Sequence, residues 1–348
     1  MSYVLSQKSS YCTISENTII KIQMILLQKD IENISYNLKD IHDKLNGINI
    51  LIAGGLGFLG KYFIDVISYL NKNENLNIKL YVIDNFITSN TNITKKFISE
   101  ISDTNIIINQ KDIIKFEEFF ELDLVINAAG IASPYYYRKY PLETVDVNID
   151  GTKNLLKLSL QNKCKFIFFS SSEIYGNPES KNIPTPEDYN GNVSSIGPRS
   201  CYDESKRMGE TLSYIYNKKF GLDINIVRPF NVFGPGMSKF DYRIMPNFIN
   251  NIIQDIPVNI YSDGKQTRTY CYISDAIEGF FRVFCNGQSG EAYNIGSDIQ
   301  EISVLELLEI MEKSIDRKIK YKIIDYPSDY PSDEPLRRCP DLSKSKSH

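Results

Sequence analysis

The sequence predicts an α/β fold in which a doubly wound parallel sheet is covered by helices on both faces and carries a smaller C-terminal α/β lobe. From Ile48 to Pro229, short apolar runs alternate with amphipathic stretches. The runs are apolar almost throughout, which is typical of parallel strands that are buried on both faces. After Pro229, prolines and glycines divide the chain into shorter pieces, and this change of pattern predicts the separate lobe.

Composition excludes several classes of protein. The chain has 348 residues, a length that corresponds to about two domains. Its 39 basic and 43 acidic residues give a net charge of −4, which argues against nucleic acid as a partner. With six cysteines, no C-x-x-C spacing and only two histidines, we expect free thiols and no metal site. No signal-peptide layout and no bilayer-spanning apolar run occur, so we expect a cytoplasmic protein without a membrane contact.

Residues 1–47 form a predicted N-terminal helical extension. Residues 1–15 are polar and unpatterned, whereas residues 16–46 have helical periodicity. Asp30 could cap this helix and Gly47 could end it. The apolar residues recur at alternating spacings of three and four on one face, and they are Ile31, Ile34, Leu38, Ile41 and Leu45. That face packs either on the chain's own domain or at a contact between subunits.

The second predicted domain, residues 48–229, contains the sheet. Its six predicted strands are Ile48–Ala53, Lys79–Ile83, Asn105–Asn109, Leu124–Asn127, Lys165–Ser170 and Asp223–Arg228. Helices are predicted between the strands, at Leu59–Leu70, Val147–Gln161 and Ser205–Lys219. Residues 230–348 form the predicted lobe, with some crossing of the chain between the two domains.

A glycine-rich turn follows the first strand and opens the next helix. Gly54, Gly57 and Gly60 are its spaced glycines, and Phe58 and Leu59 begin the helix. Glycines allow backbone N–H groups to approach a pyrophosphate, and the helix N-terminus adds its dipole. Asp84 ends the next strand, where a carboxylate can accept both adenosine ribose hydroxyls and would repel a 2′-phosphate. This favours NAD over NADP and a Rossmann-type domain; the alternative is a glycine turn without a ligand.

Further cofactor-binding residues are expected where the neighbouring strands end. They are Asn85 beside Asp84, Asp112 and Ile113 after the third strand, and Ala128 and Ala129 after the fourth. Ligands of open α/β sheets bind at the carboxyl ends of the strands. Asp112 could therefore reach the adenine, or it could simply cap a helix.

Tyr202 and Lys206 lie four residues apart at the start of a helical stretch, so that both side chains share one helix face. A nearby ammonium group stabilises a phenolate, and the sequence therefore predicts that Lys206 lowers the pKa of Tyr202 and makes it a base. Ser171, Ser172 and Glu173 follow the fifth strand, where a hydroxyl can hold a substrate oxygen and a carboxylate can move a second proton. The alternative is a capped turn with a solvated glutamate.

Together these segments resemble the extended short-chain dehydrogenase/reductase family, which contains NAD-dependent nucleotide-sugar epimerases, dehydratases and decarboxylases. The resemblance runs from about Asn49 to about Ser343. Its UDP-glucuronate decarboxylase branch is the most similar, on four segments: Gly197-Pro-Arg-Ser-Cys-Tyr-Asp-Glu-Ser-Lys-Arg207, Asp263-Gly-Lys-Gln-Thr-Arg-Thr-Tyr270, Tyr272-Ile-Ser-Asp275 and Arg337-Arg-Cys-Pro-Asp341.

The resemblance implies a role for each site residue. Tyr202 removes the proton of the sugar 4-hydroxyl, Lys206 holds the nicotinamide ribose, and Ser171 orients the oxygen. Ser172 and Glu173 lie beside C5 and C6 of the sugar. The implied substrate-binding residues are Ser133, Asn231, Arg243, Arg268 and Arg338. Arginine suits a diphosphate because its planar fork binds two oxygens at once; the alternative for each arginine is a surface ion pair.

The implied activity is that of a lyase: UDP-glucuronate is oxidised at C4, decarboxylated and reduced again by the same NAD to give UDP-xylose. One alternative is a 4,6-dehydratase of nucleotide hexoses, or another enzyme that oxidises C4. A second alternative is a non-catalytic NAD-binding sensor, although such a protein is expected to lose the Tyr202–Lys206 pair. The resemblance also implies a homodimer, formed through the Tyr202–Lys206 helix and the Val147–Gln161 helix.

Overall fold

The structure is a computed structural model, which describes residues 28–89, 91–118, 121–238, 241, 243–326 and 335–348. The polar residues 1–15 and the first part of the predicted N-terminal helix therefore lie outside the described residues.

A seven-stranded parallel sheet forms the centre of the molecule, in the order β11-β6-β5-β4-β1-β2-β3. The strands, numbered in chain order, are β1 Asn49–Ala53, β2 Lys79–Asp84, β3 Ile106–Gln110, β4 Leu124–Asn127, β5 Lys165–Phe169, β6 Ile224–Pro229, β7 Val232–Phe233, β8 Val258–Tyr261, β9 Thr267–Arg268, β10 Cys271–Tyr272, β11 Ala292–Ile295, β12 Ile302–Ser303, β13 Tyr321–Ile324 and β14 Arg337–Arg338. All six predicted strands are present, each within one residue of its predicted ends.

The helices cover both faces of this sheet and build the lobe. They are α1 at residues 28–37, α2 His42–Leu45, α3 Phe58–Glu74, α4 Asn92–Glu100, α5 Pro134–Lys139, α6 Pro141–Asp146, α7 Thr152–Asn162, α8 Ser200–Phe220, α9 Ile244–Ile253, α10 Ile273–Asn286, α11 Val304–Ile315 and α12 Ser343–Ser347. A π-helical turn, Val147–Gly151, precedes α7. The predicted α/β fold with a doubly wound parallel sheet is thus confirmed. None of the helices in the described part of the chain has the length and apolar character that a membrane span requires.

Two elements differ from the sequence prediction. The seventh strand, β11, comes from the C-terminal part of the chain and pairs with β6 at the edge of the sheet. Its four residues are too short a run to be separated by periodicity from a lobe element. Helix α8 begins at Ser200, five residues before its predicted start at Ser205, so Tyr202 lies in its first turn.

The N-terminal segment packs on its own domain. Its five predicted apolar residues are 0–5% exposed and belong to the same buried cluster as residues of α3 and α10. The first of the two interpretations of this helix is therefore confirmed. Asp30 does not cap it: Asp30 lies inside α1, and its carboxylate accepts a hydrogen bond from the Tyr272 hydroxyl at 2.9 Å. The cap prediction is wrong because the helix extends upstream of Asp30 and a distant side chain binds the carboxylate.

The lobe carries a core of its own between the β8–β13 pair and helices α9 and α11. Beside it, β9 pairs with β14 in parallel, so that Arg268 lies opposite Arg338 and Thr267 lies opposite Arg337. Since side chains alternate along a strand, Arg268 and Arg338 share one face of this small sheet. Both are buried, and that face meets the carboxyl end of β5.

Candidate active site

The glycine-rich turn is folded as a cradle between β1 and α3. Gly54 has a φ of +75°, and a Cβ atom there would lie 2.6 Å from the Ala129 backbone. Gly57 occupies the N-cap of α3, and no side chain caps the helix there. The first-turn N–H groups of α3 are thus left to an anion. This arrangement fits a dinucleotide pyrophosphate.

Asp84 ties the end of β2 to this cradle. One carboxylate oxygen accepts the Leu56 backbone N–H at 3.0 Å, inside the glycine-rich turn. The other accepts the Phe86 N–H at 2.8 Å and the Ser89 hydroxyl at 2.9 Å. The carboxylate is therefore held at the sheet edge, where the sequence predicts contact with the adenosine ribose.

The remaining predicted cofactor residues lie along the same edge. Asp112 accepts the Ile114 N–H at 3.0 Å and caps the short helix that begins at Ile113, which is the simpler of its two interpretations. Asn85 accepts the Ile87 N–H at 3.1 Å. Ala128 continues β4, and its N–H donates to the Ala53 carbonyl at 3.0 Å.

Replacing Gly60 by alanine is expected to destabilise the protein by about 2–4 kcal/mol and to weaken NAD binding. An added Cβ would lie 2.3 Å from the Gly55 carbonyl oxygen, so α3 would have to move away from β1. Chemical unfolding and equilibrium binding of NAD measure both effects. Gly279→Ala in α10 is the control outside the cradle, because its Cβ would lie 3.1 Å from an Ile295 side-chain atom and would meet no backbone. Equal losses in both variants would contradict the expectation.

Tyr202, Ser171 and Lys206 meet where α8 crosses the end of β5. The Tyr202 and Ser171 hydroxyl groups share a hydrogen bond, and the Tyr202 ring stacks on Tyr137 with centroids 5.4 Å apart. The Lys206 amine donates to the Phe169 carbonyl at 2.8 Å and lies 5.9 Å from the Tyr202 ring centre. Both Tyr202 and Lys206 are buried.

The predicted lowering of the Tyr202 pKa by Lys206 is wrong for the protein alone. Burial raises the pKa of Tyr202 well above its usual range; the Ser171 hydrogen bond lowers it, and the nearby charges of Glu173 and Asp203 raise it. Burial also lowers the pKa of Lys206 to about 7. Because the low-dielectric interior disfavours the ammonium group as well as the phenolate, the expected stabilisation of the phenolate is not available.

Glu173 is held by arginines from two parts of the chain. Arg199, at the N-cap of α8, bonds its carboxylate, and Arg338 of β14 donates to it at 2.7 Å. Burial acts to raise the pKa of Glu173, but Arg199, Arg338 and Arg268 outweigh it, and the pKa is lowered. Glu173 is therefore ionised near neutral pH, and the solvated-turn interpretation does not apply, since its side chain is 19% exposed. The adjacent Ser172 is buried.

Arg199 and Asp203 are residues that the sequence analysis missed. The Arg199 Nε group donates to an Asp203 carboxylate oxygen at 3.3 Å, and both side chains are buried. Asp203 directly follows Tyr202, so Arg199 connects the helix of the tyrosine to Glu173. One signal in the sequence pointed to them: the two opposite charges lie four residues apart on a helix, on either side of Tyr202.

The stability of an Asp203→Asn variant is expected to rise, relative to the unmodified protein, between pH 5 and pH 8. Burial raises the pKa of Asp203 to about 7 from 3.8, so the folded state takes up a proton that the unfolded state releases. The unmodified protein therefore loses stability as pH rises through this window, and asparagine does not. We expect the difference in unfolding free energy to change by about 1–2 kcal/mol. Urea unfolding at several pH values measures it, and parallel curves would contradict the expectation.

The predicted substrate residues lie around the same carboxyl end of the sheet. Arg268 donates to the Pro335 carbonyl at 2.6 Å, and Asn231 donates to the Thr269 carbonyl at 2.9 Å. Arg243 forms an ion pair with Asp241, and its charge acts on Tyr202. Ser133 precedes α5, whose Tyr137 covers Tyr202, and its buried hydroxyl has no hydrogen-bond partner in the described part of the chain. Among the residues described, no group of His, Cys, Asp and Glu side chains is suited to a metal ion.

Comparison with known proteins gives a consistent result. A family model described as the NAD dependent epimerase/dehydratase family matches residues 50–296. UDP-glucuronic acid decarboxylase 6 of Arabidopsis thaliana is 35% identical over 301 residues, which are 86% of this chain and 83% of the relative. UDP-glucuronic acid decarboxylase 1 of Xenopus tropicalis is 33% identical over 297 residues, which are 85% of this chain and 66% of the relative.

Solved structures share the fold. A dTDP-glucose 4,6-dehydratase from Streptomyces venezuelae, with NAD bound, superposes with a TM-score of 0.74 at 21% identity, covering 86% of this chain and 90% of that one. A UDP-glucuronic acid 4-epimerase from Bacillus cereus, in complex with UDP-glucuronic acid and NAD, has a TM-score of 0.72 at 26% identity, covering 86% and 92%. With its glycine cradle, its Tyr202–Lys206 helix and these matches, the chain belongs to the NAD dependent epimerase/dehydratase family.

Proposed function

We propose that this chain is a UDP-glucuronate decarboxylase, which converts UDP-glucuronate to UDP-xylose with an NAD that is recycled in each turnover. The observation that carries the proposal is the ionised Glu173 between Arg199 and Arg338, two residues after the serine that bonds Tyr202. Relatives that bear the name UDP-glucuronic acid decarboxylase support it at 33–35% identity over most of the chain.

The reaction begins and ends at C4 of the sugar. The glycine turn at the start of α3 and Asp84 would hold NAD, which when bound would supply the hydride chemistry at C4. As a phenolate, which the positive charge of bound NAD would favour, Tyr202 takes the proton of the C4 hydroxyl, and Ser171, which is hydrogen-bonded to Tyr202, holds the same oxygen. The 4-keto uronate is a β-keto acid: its C5–C6 bond breaks, the electron pair passes to the C4 oxygen as an enolate, and C6 leaves as CO₂. Protonation at C5 restores the ketone before C4 is reduced.

The electrostatics of the site suit this substrate. UDP-glucuronate carries a diphosphate and a carboxylate, and the site presents the buried Arg268 and Arg338 from the lobe. The Nε group of Arg338 is buried and has no hydrogen-bond partner among the described residues. An unsatisfied buried donor costs free energy, and an anionic ligand would supply the missing acceptor. We assign Ser172 and Glu173 to C5 and C6 of the sugar.

Proton NMR of the purified protein with UDP-glucuronate and NAD tests the proposal. We expect the uronate signals to disappear and a pentose with two C5 protons to appear. A released 4-keto pentose would mean that the final reduction is missing. Conversion to UDP-galacturonate would identify a 4-epimerase instead, and 4-keto-6-deoxy products from UDP-glucose or GDP-mannose would identify a dehydratase. No turnover of any nucleotide sugar, with NAD bound, would support the sensor interpretation.

We also propose a homodimer that forms through α8. Its outer face exposes apolar side chains that a monomer leaves in water, among them Met208 at 45%, Tyr214 at 59% and Ile215 at 44% exposure. Sedimentation velocity tests this assembly, and a single species at 39.9 kDa would exclude it.

A further inference from the structure

A carboxylate from the N-terminal segment reaches two tyrosines of distant elements. Asp30 of α1 is 8% exposed. It accepts the Tyr272 hydroxyl at 2.9 Å, and the Tyr62 hydroxyl of α3, which donates its proton to Pro235, lies beside the same carboxylate. Tyr272 ends β10, so one side chain of the segment connects the lobe strand to the helix that the glycine cradle opens.

Docking of the segment does not require this carboxylate. The apolar face of α1 already packs in the main core, and on the outside Asp40 pairs with Arg282 while Lys44 donates to Asn286 at 2.8 Å. Burying a carboxylate costs free energy unless its hydrogen bonds are made, and burial raises the pKa of Asp30. Asp30 therefore fixes one position of the segment relative to the two tyrosines, which apolar packing alone does not specify.

Tyr62 also binds the loop 234–236, which has no polar side chain of its own. Its hydroxyl lies 3.1 Å from the Pro235 carbonyl oxygen, and it donates to that oxygen. The loop is Gly234-Pro235-Gly236, and Gly236 has a φ of +90°, a conformation that favours glycine. A Cβ at Gly236 would lie 3.9 Å from the Phe58 ring and 4.0 Å from the Tyr62 ring. The loop thus rests on the first turns of α3.

Those first turns are the wall of the cofactor cradle. Phe58 is the first residue of α3, directly after Gly57 at its N-cap, and Tyr62 lies one turn later. An anion at the N-terminus of α3 depends on N–H groups that are held in place. A loop that rests on Phe58 and Tyr62 limits their movement, and Asp30 limits the movement of the loop by binding Tyr272, which is paired with Phe233 directly before the loop.

We propose that residues 28–47 form a clasp that retains NAD, with Asp30 as the positioning residue that fixes Tyr62 and the loop 234–236 against the start of α3. The inference rests on NAD binding at the glycine cradle and is independent of what the enzyme does to its sugar. It gives the N-terminal extension a role in the reaction cycle, because an NAD recycled within one turnover must not dissociate between its two hydride transfers.

The dissociation rate of NAD tests the clasp, measured by stopped-flow displacement well below the unfolding temperature. Asp30→Ala is expected to speed NAD dissociation about five- to tenfold, since it removes the hydrogen bond that holds Tyr272, and with it Phe233 before the loop, in place. Binding of UDP, measured by calorimetry, is expected to stay within about twofold, because Arg268 and Arg338 are held by Pro335 and Glu173 and not by Asp30. NAD and UDP binding do not depend on decarboxylation. The NAD dissociation rate therefore still tests the clasp if the protein does not decarboxylate UDP-glucuronate.

Asp40→Ala is the matched control on the same segment. It breaks the exposed ion pair with Arg282 and is expected to leave NAD dissociation unchanged. If Asp30→Ala lowers the unfolding temperature without changing NAD dissociation, or if both variants speed it equally, the clasp is wrong. Should Asp30→Ala not fold, Tyr62→Phe keeps the ring and removes only the hydroxyl. The same faster release is expected from it, and unchanged release would overturn the proposal.

Discussion

A Tyr202→Phe variant is expected to turn over UDP-glucuronate about 10³-fold more slowly than the unmodified protein while it still binds NAD. The substitution removes the hydroxyl that bonds Ser171 and keeps the ring that stacks on Tyr137. Without that hydroxyl, the C4 proton loses the acceptor assigned to it, so oxidation slows before CO₂ can be lost. Single-turnover formation of NADH, followed by absorbance, measures the step directly.

The free energy of unfolding of this variant is expected to equal that of the unmodified protein or to be slightly higher. Burial raises the pKa of Tyr202, so its phenol is neutral in the folded protein without bound cofactor, and the substitution removes only the hydrogen bond to Ser171. Tyr321→Phe in β13 of the lobe is the control, because Tyr321 is 49% exposed and belongs to neither the site nor the proposed dimer face. Equal activity of Tyr202→Phe and the unmodified protein would show that Tyr202 is not the catalytic base. The chain would then use another catalytic group or act as a sensor.

The sequence predicted the elements of this site because its pattern is local. About 20 consecutive residues or fewer encode each apolar strand, the glycine turn and the Tyr–Lys helix. The carboxyl ends of parallel strands then meet at one edge of the sheet. That rule alone places Asp84, Ser171 and Glu173 at the same edge of the sheet. The six strands of the domain were accordingly predicted within one residue, whereas α8 begins five residues before its predicted start.

What the sequence did not predict depends on contacts between distant residues. Asp30 and Tyr272 are 242 positions apart, and Glu173 and Arg338 are 165 apart. No periodicity encodes such pairs, so the sequence pattern favours a helix cap at Asp30 and does not indicate the arginine partners of Glu173. The pKa of Tyr202 was predicted in the wrong direction for the same reason: a spacing of four residues shows a shared helix face but not the depth of burial.

Glu173→Gln is expected to reduce turnover about 10²- to 10³-fold and to destabilise the protein by about 2–4 kcal/mol. The loss of stability follows from the two buried guanidinium groups of Arg199 and Arg338, which would lose their shared carboxylate. Because the pKa of Glu173 is lowered in the folded protein, its stabilising contribution is present at neutral pH and disappears as pH falls through that pKa. Glutamine should therefore flatten the acid side of the stability curve, which urea unfolding from pH 3 to 7 measures.

Glu301→Gln is the control variant. It distinguishes the loss of an ion pair from the loss of a carboxylate that takes part in the reaction. Glu301 accepts two hydrogen bonds from Arg337, at 2.9 and 2.6 Å, and Arg337 is the strand neighbour of Arg338. Since Arg337 and Arg338 point to opposite faces of the small sheet, the control removes a Glu–Arg pair on the face opposite Glu173. This pair is the more exposed of the two, because the Arg337 side chain is 45% exposed and that of Arg338 is 9% exposed. We expect it to keep turnover within about twofold. If both variants lose activity in proportion to stability, Glu173 only supports the fold; if Glu173→Gln alone loses activity, the carboxylate takes part in the steps at C5 and C6.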